Sequence, residues 1–497
     1  MVDLWLHALS QPVDKRPYLL IGCGAGFSGD RTDVARAVVD TLIASNQPSV
    51  LMFETLAERT LALAQLAKDK DPSKGYEPLL EAMLEPVLAD CLKHGIRIVS
   101  NFGAANPAGA AQCIEQLAKR LGARPPRIAV VFGDDVMTQE HLPLLQQACG
   151  EAWPEAQVVS ANAYIGAQPI AQALLAGADI VVTGRVADPS LALGPVAAYY
   201  SWYWDEWDKL ARATMAGHLL ECGAQVSGGY FADPGFKDVP GLSNVGFPIA
   251  EIDPKGICTI SKAANTGGCV TAQTVKEQLL YEVHDPAAYL TPDVIADISQ
   301  AQVIELGPDK VRLEGVKGHP RPASLKVNVC ATAGWLAEAE ISYAGAHALQ
   351  RAQLADQVIE QRIGHLSAIR TDFIGVMSIL GDDRSTWKKD HHMLCVDARD
   401  IRVRWAWERA THAEAELLCR EVNALYTCGP GGGWGCAHHG ATSFEHRLLP
   451  YWPATRFGWL VLGQRKRQHR RSTCLKLHCF KQRMDVPEIR AIAAISV

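Results

Sequence analysis

The sequence predicts an α/β protein: a doubly wound, mostly parallel sheet followed by a packed α+β region. Three observations carry this. Short aliphatic runs alternate with amphipathic stretches through the first half of the chain. The runs are too short to alternate apolar with polar residues, as strands covered on both faces are. Polar, glycine-bearing loops follow them, at the strand ends where an open sheet holds its ligands.

The runs fall, in order, at Tyr18–Ile21, Val50–Phe53, Ile96–Val99, Ile128–Phe132, Val158–Val159 and Ile180–Val182. Between them, helix-like patterns occupy Thr32–Ser45, Leu56–Lys68, Pro78–Lys93 and Ala108–Leu121. Repeated strand–helix–strand units with right-handed crossovers build such a sheet. Gly228–Gly246 has neither period and reads as a loop, long enough to suggest a functional one. Beyond it come a helix at Ala272–Glu282 and strands near Gln302–Leu306 and Ser324–Ala331. A helix at Gly345–Arg362, a strand at Leu394–Val403 and a helix at Ala413–Leu425 follow, before the glycine run Gly429–Gly433. The expected domains are 1–240 (α/β), 241–433 (α+β) and an atypical basic tail, 434–497.

With 497 residues, 48% hydrophobic and 21% charged, the chain can bury a large core and is neither disordered nor collagen-like. A net charge of −6 argues against a dedicated nucleic-acid binder. The charge is uneven: residues 434–497 hold eleven Lys/Arg against three Asp/Glu, about +8, which leaves about −14 on the remainder. The 14 cysteines form no C-x-x-C pair, and no apolar run reaches the ~18 residues a membrane helix needs. The expectation is a reduced, cytoplasmic protein. It is expected to take a small-molecule or acyl-CoA ligand and to assemble as a homo-oligomer, with no membrane or nucleic-acid partner.

Gly24, Gly26 and Gly29 form G-x-G-x-x-G after the first strand, with Ser28 and Arg31 beside them and Glu54 ending the second strand. Glycines there let backbone approach a phosphate at a helix N-terminus, and an acid can take ribose hydroxyls. A tight, capped strand-to-helix turn would use the same residues. Asn101, Gly103 and Asn106 follow the third strand; their carboxamides suit a carboxylate or carbonyl, while Asn106 alone also reads as an N-cap. Asp134, Arg185 and Asp188 lie in two further strand-end loops. His218 and Glu221, at i, i+3 on a helix, read as an acid/base pair, as two metal ligands, or as a hydrogen-bonded helix-end histidine. Lys262, Asn265, Thr266 and Gly267 form an anion nest or a capped helix start. Glu54, Asp134, Asp188, His218 and Glu221 are the catalytic candidates; no metal centre is expected. No cofactor is required by these residues, NAD(P) being the one the glycine pattern admits.

These segments, GAGFSGDR (24–31), FETLAE (53–58), DPSKGY (71–76), NFGAANP (101–107) and GDD (133–135), recur in a known family. So do NAYIGAQPI (162–170), GADIVVTGRVADPSLAL (177–193), AGHLLECGAQVSGGYFADPG (216–235), ISYAGAHALQRA (341–352) and EVNALYTCGPGGG (421–433). The chain resembles the acyclic terpene utilisation AtuA family from about Ile21 to Gly433. The resemblance implies a part in breaking down acyclic terpenoids such as citronellol and geraniol, whose intermediates are acyl-CoA thioesters. It assigns no catalytic residue. Past Gly433, where members continue into a β-rich stretch, the resemblance stops. The tail then reads as a shifted reading frame, poorly ordered, or as a basic arm for an acidic partner.

The expected function is therefore an enzyme, or catalytic subunit, acting on an acyl-CoA or small carboxylic acid by lyase- or hydratase-type chemistry. The alternatives are an NAD(P)-dependent oxidoreductase and a non-catalytic assembly subunit.

Overall fold

The computed structural model describes residues 4–150, 153, 157–332, 334–389 and 398–434, together with the strand segments 458–461 and 494–496. The chain divides into two compact units: Met1–Trp153, Val159–Cys330 and Phe457–Val497 in the first, Pro154–Val158 and Ala331–Arg456 in the second.

The first unit is built on the predicted α/β sheet. Leu19–Ala25, Ser49–Phe53, Arg97–Ser100, Ile180–Thr183 and Ile128–Val131 lie side by side in that order, all parallel. Nearly every residue of these five strands is buried, which is why their sequences show no alternation. The sheet does not end there. Pro248–Ile252 adds antiparallel to Leu19–Ala25, then Cys258–Lys262, Lys310–Glu314 and Gln302–Gly307 extend that edge. Residues 241–330, read from sequence as part of a second domain, thus lie with the first because they continue its sheet. Val158–Ala163 leaves the main sheet for a small one with Lys326–Ala331.

Helices Val34–Ser45, Glu58–Lys70 and Pro107–Arg120 match the periodic segments. Pro78–Lys93 instead forms two helices, Leu80–Leu84 and Leu88–His94. Pro86 between them cannot donate a backbone hydrogen bond to a continuing helix. Ala272–Leu280 and His412–Cys428 each begin with a capping box, on Thr271 and Thr411.

The second unit is antiparallel, with Arg370–Ile374, Asp400–Arg409, Trp335–Ala344 and Gly433–Trp434 in sheet order. Helices Ala348–Ile359 and His412–Cys428 join those strands in a core that buries Tyr343, Phe373, Trp405 and Trp407. In the basic tail, 458–461 pairs with Lys326–Ala331 and 494–496 with Ile128–Val131. Apart from Trp434, the rest of that tail, like His391 and His392, lies outside the described residues. Among the described residues, no helix is long and apolar enough to cross a membrane.

Candidate functional site

The carboxyl ends of the parallel strands meet the end of helix Trp207–Glu221 within the first unit, and six of the predicted polar residues gather there. Glu54 follows strand Ser49–Phe53, and Asn101 follows its neighbour Arg97–Ser100. Asn101 Nδ2 donates to Glu54 Oε1 at 2.8 Å, and the Leu56 N–H donates to the same oxygen at 2.8 Å. The other end of the carboxamide accepts the Thr55 N–H at 2.8 Å. Asn101 is therefore an orienting group for Glu54. Burial, reinforced by the Asp188 carboxylate and opposed by Arg185, pushes Glu54 up to about 8. Such a carboxyl holds its proton at neutral pH and can donate it.

Arg185 is almost completely buried, and each of its three guanidinium nitrogens has a partner. Its guanidinium donates to the carbonyls of Val186 and Leu56 and pairs with Asp188. It also lies 4.5 Å from the Tyr164 ring centroid. Lys326 Nζ stands 4.2 Å from the same ring, and Glu58 takes both the Tyr164 hydroxyl and the Lys326 ammonium, the latter at 3.3 Å. Burial works to raise Glu58, but Lys326 and the Tyr164 hydroxyl outweigh it and hold the carboxylate below its ordinary value. Sequence reasoning misses Glu58, Tyr164 and Lys326. The first two sit inside family-like motifs, whereas Lys326 leaves no local signal because the chain brings it in from a distant strand.

The second half of the site is helical. His218 Nδ1 lies 2.9 Å from Glu221 Oε1, both side chains buried, with the His218 ring 5.2 Å from that of Tyr289. Burial, with Asp188 and Glu282 adding to it and His218 opposing, pushes Glu221 up to about 7. Burial works to lower His218, but the Glu221 carboxylate prevails and raises it. Asp188 thus acts on both Glu54 and Glu221, and so links the two halves.

Two glycines make this convergence possible. At Gly217 a Cβ would meet the Pro189 carbonyl oxygen at 2.6 Å, so only glycine lets the helix rest on the Asp188–Pro189 loop. At Gly26 a Cβ would meet the Cys222 backbone at 2.5 Å, so the glycine loop touches the residues just after Glu221. Gly26→Ala is expected to cost about 2 to 4 kcal/mol, since backbone rather than a side-chain tip must move. A chemical-denaturation midpoint equal to wild type would refute this.

The other predicted residues make the following contacts. The Gly26 N–H, which a phosphate would need, is already held by Asp30 Oδ2 at 2.8 Å, and the following helix begins only at Val34. Gly24 packs under the Phe53 ring and Gly29 beside Phe27, while Ser28 turns to the buried Glu77. Arg31 pairs with Asp33 at 2.7 Å; with Thr266 it lines a shallow cleft. Thr266 donates its hydroxyl to the Ala263 carbonyl, and Lys262 Nζ donates to Thr266 O at 2.9 Å. Asn265 is exposed with a left-handed backbone, and Gly267 lies against Gly241. Asn106 is the N-cap of Pro107–Arg120, accepting the Gly109 N–H at 3.0 Å, and the Gly103 N–H donates to Thr183 O. Asp134 accepts the Arg185 N–H at 2.8 Å and Asn162 Nδ2 at 3.0 Å, which makes it a positioning group for the Arg185 loop. Among the described residues, no group of three or more His, Cys, Asp or Glu side chains is arranged to hold a metal ion.

The family profile for the acyclic terpene utilisation protein AtuA matches residues 19–457. The chain belongs to this family. The match covers the strand-end loops and the His218–Glu221 helix, and it runs past Gly433, where the resemblance read from the sequence stops. No curated protein and no solved structure matches the chain.

Proposed function

We propose that this AtuA family protein is an enzyme, or the catalytic subunit of one, acting on an acyl-CoA or small carboxylic acid in acyclic terpenoid breakdown. The reaction is of lyase or hydratase type and proceeds by proton transfer. Family membership supports the terpenoid setting. The observation that supports the chemistry is the pairing of two buried carboxyls, Glu54 near 8 and Glu221 near 7, around one Asp188 carboxylate. Groups that titrate close to neutrality are suited to give and take protons at working pH. An NAD(P)-dependent oxidoreductase finds less support, because Asp30 occupies the amide that a pyrophosphate would use.

Purified protein incubated with a panel of acyl-CoA thioesters and followed by mass spectrometry tests the proposal. A thioester changed by wild type, at a rate at least 100-fold lower in Glu221→Gln, is expected. A panel left unchanged at every pH from 6 to 9 would remove the reading. In parallel, millimolar NADPH is expected to leave the melting temperature unmoved; a shift of several degrees would favour the oxidoreductase.

A further inference from the structure

Lys326 opens strand Lys326–Ala331, whose alternate residues Lys326, Asn328 and Cys330 share one face. Cys330 Sγ lies 3.9 Å from the Glu58 carbonyl oxygen, so that face rests on the first turn of helix Glu58–Lys70. On the neighbouring strand the Tyr164 N–H donates to the Lys326 carbonyl at 2.8 Å, which sets the phenol ring beside the amine. The amine is also reachable. The side chains of Lys326, Glu58 and Asp188 are 33%, 21% and 35% exposed, so a small molecule can meet Nζ from solvent.

A lysine kept for an ion pair gains nothing from a second cation. Here Arg185 stands over the same Tyr164 ring, 4.5 Å from its centroid against 4.2 Å for Lys326 Nζ. Burial and the Arg185 charge outweigh the Glu58 and Asp188 carboxylates and hold Lys326 below its ordinary value. More of it is then the neutral amine that attacks carbonyl groups. Imine formation also needs a group that carries protons from nitrogen to oxygen. Glu58, 3.3 Å from Nζ and held ionised, is placed to take one. Burial keeps the Tyr164 hydroxyl protonated, and its bond to Glu58 fixes that carboxylate.

We propose that Lys326 is the nucleophile of a covalent site that takes an aldehyde or ketone as an imine. This goes beyond the acyl-CoA reading and does not rest on it. The Nζ lone pair forms a bond to the carbonyl carbon while the π electrons of the carbonyl move to its oxygen. Glu58 takes a proton from the nitrogen and delivers it to that oxygen, giving the carbinolamine. The nitrogen lone pair then forms the C=N bond as the C–O bond breaks. A second proton, passed from nitrogen through Glu58, lets the oxygen leave as water. One amine and one carbonyl become one imine and one water, with no oxidant or reductant consumed. Tyr164 and Arg185 are positioning residues.

The test incubates the full chain with millimolar 3-methylbutanal and sodium cyanoborohydride, which reduces imines to stable amines, and maps the labelled lysines by proteolysis and mass spectrometry. Lys326 is expected to be labelled at least 10-fold faster than the other lysines. Lys326→Arg, which keeps a cation for Glu58 and the Tyr164 ring, removes that fast phase. Glu58→Gln slows it about 10-fold or more, since the proton carrier is lost. The wild-type map decides the matter even where a variant does not fold: Lys326 labelled no faster than the other lysines overturns the site. Labelling in Glu58→Gln at the wild-type rate overturns the role of Glu58. An acyl-CoA panel left unchanged removes the earlier reading and leaves this one standing.

Discussion

Asp179→Ala is expected to destabilise the protein by about 3 to 5 kcal/mol, the usual cost of removing one partner from a buried ion pair. Asp179 opens the strand Ile180–Thr183 at the end of the sheet away from the site, and its side chain is buried. It meets Arg97 at 2.6 Å, Arg124 at 2.8 Å twice, and the Arg127 N–H at 2.8 Å. Arg97 is equally buried, so alanine would leave its charge beside an apolar hole. The cluster also fixes register: Asp179 backbone groups bond to Ile98 and Arg127, which flank it on either side. Burial works to raise Asp179, but Arg124, the Arg127 amide and Arg97 outweigh it and hold the carboxyl below its ordinary value. A depressed carboxylate stabilises the fold above its unfolded-state pKa and loses that contribution as pH falls through its folded value. Urea midpoints of wild type and Asp179→Asn should therefore differ at pH 7, begin to converge only below about pH 4, and meet once the pH has fallen through the depressed folded-state value. A difference that persists in acid would show that packing, not charge, is responsible.

Glu54→Gln has the opposite pH signature and the larger effect on chemistry. As a proton donor Glu54 is worth about 10² to 10⁴ in rate, so the variant should lose that much turnover on the acyl thioester that wild type accepts. Its stability should rise. Glu54 sits near 8 when folded, well above an unfolded glutamate, so the wild-type fold is at full strength in acid. It then loses up to about 1.4 kcal/mol per pH unit as pH climbs toward 8. The substituted carboxamide resembles the protonated carboxyl and accepts the same Asn101 and Leu56 donors, with Asp188 and Arg185 still facing it. Thermal melts of the two proteins should agree near pH 4 and diverge progressively up to pH 8.5 in favour of the variant. Parallel curves over that range would show that Glu54 is not held neutral.

The strands and most helices are legible because their signals are local. Five parallel strands, buried on both faces, must read as short aliphatic runs, and Thr271 and Thr411 sit where N-caps belong. Pairing across distant segments is not legible in this way. Nothing in Pro248–Ile252 or Lys310–Glu314 announces that they extend the first sheet rather than found a new one. The glycine loop misleads for a related reason. G-x-G-x-x-G records that backbone must come close to something, and here it is the Cys222–Gly223 backbone, with Asp30 on the amide.

The sequence by itself determined the α/β class, the family resemblance and the strand-end positions of Glu54, Asn101, Arg185 and Asp188. It also placed His218 and Glu221 on one helical face. Only the tertiary structure decided which of these meet. Gly217 and Gly26 remove the Cβ atoms that would keep the helix, the Asp188 loop and the glycine loop apart. Burial in that junction then moves Glu54 and Glu221 toward neutrality. A residue type states what chemistry is possible; the dielectric and the charges around it, set by segments far away in the chain, decide its protonation state.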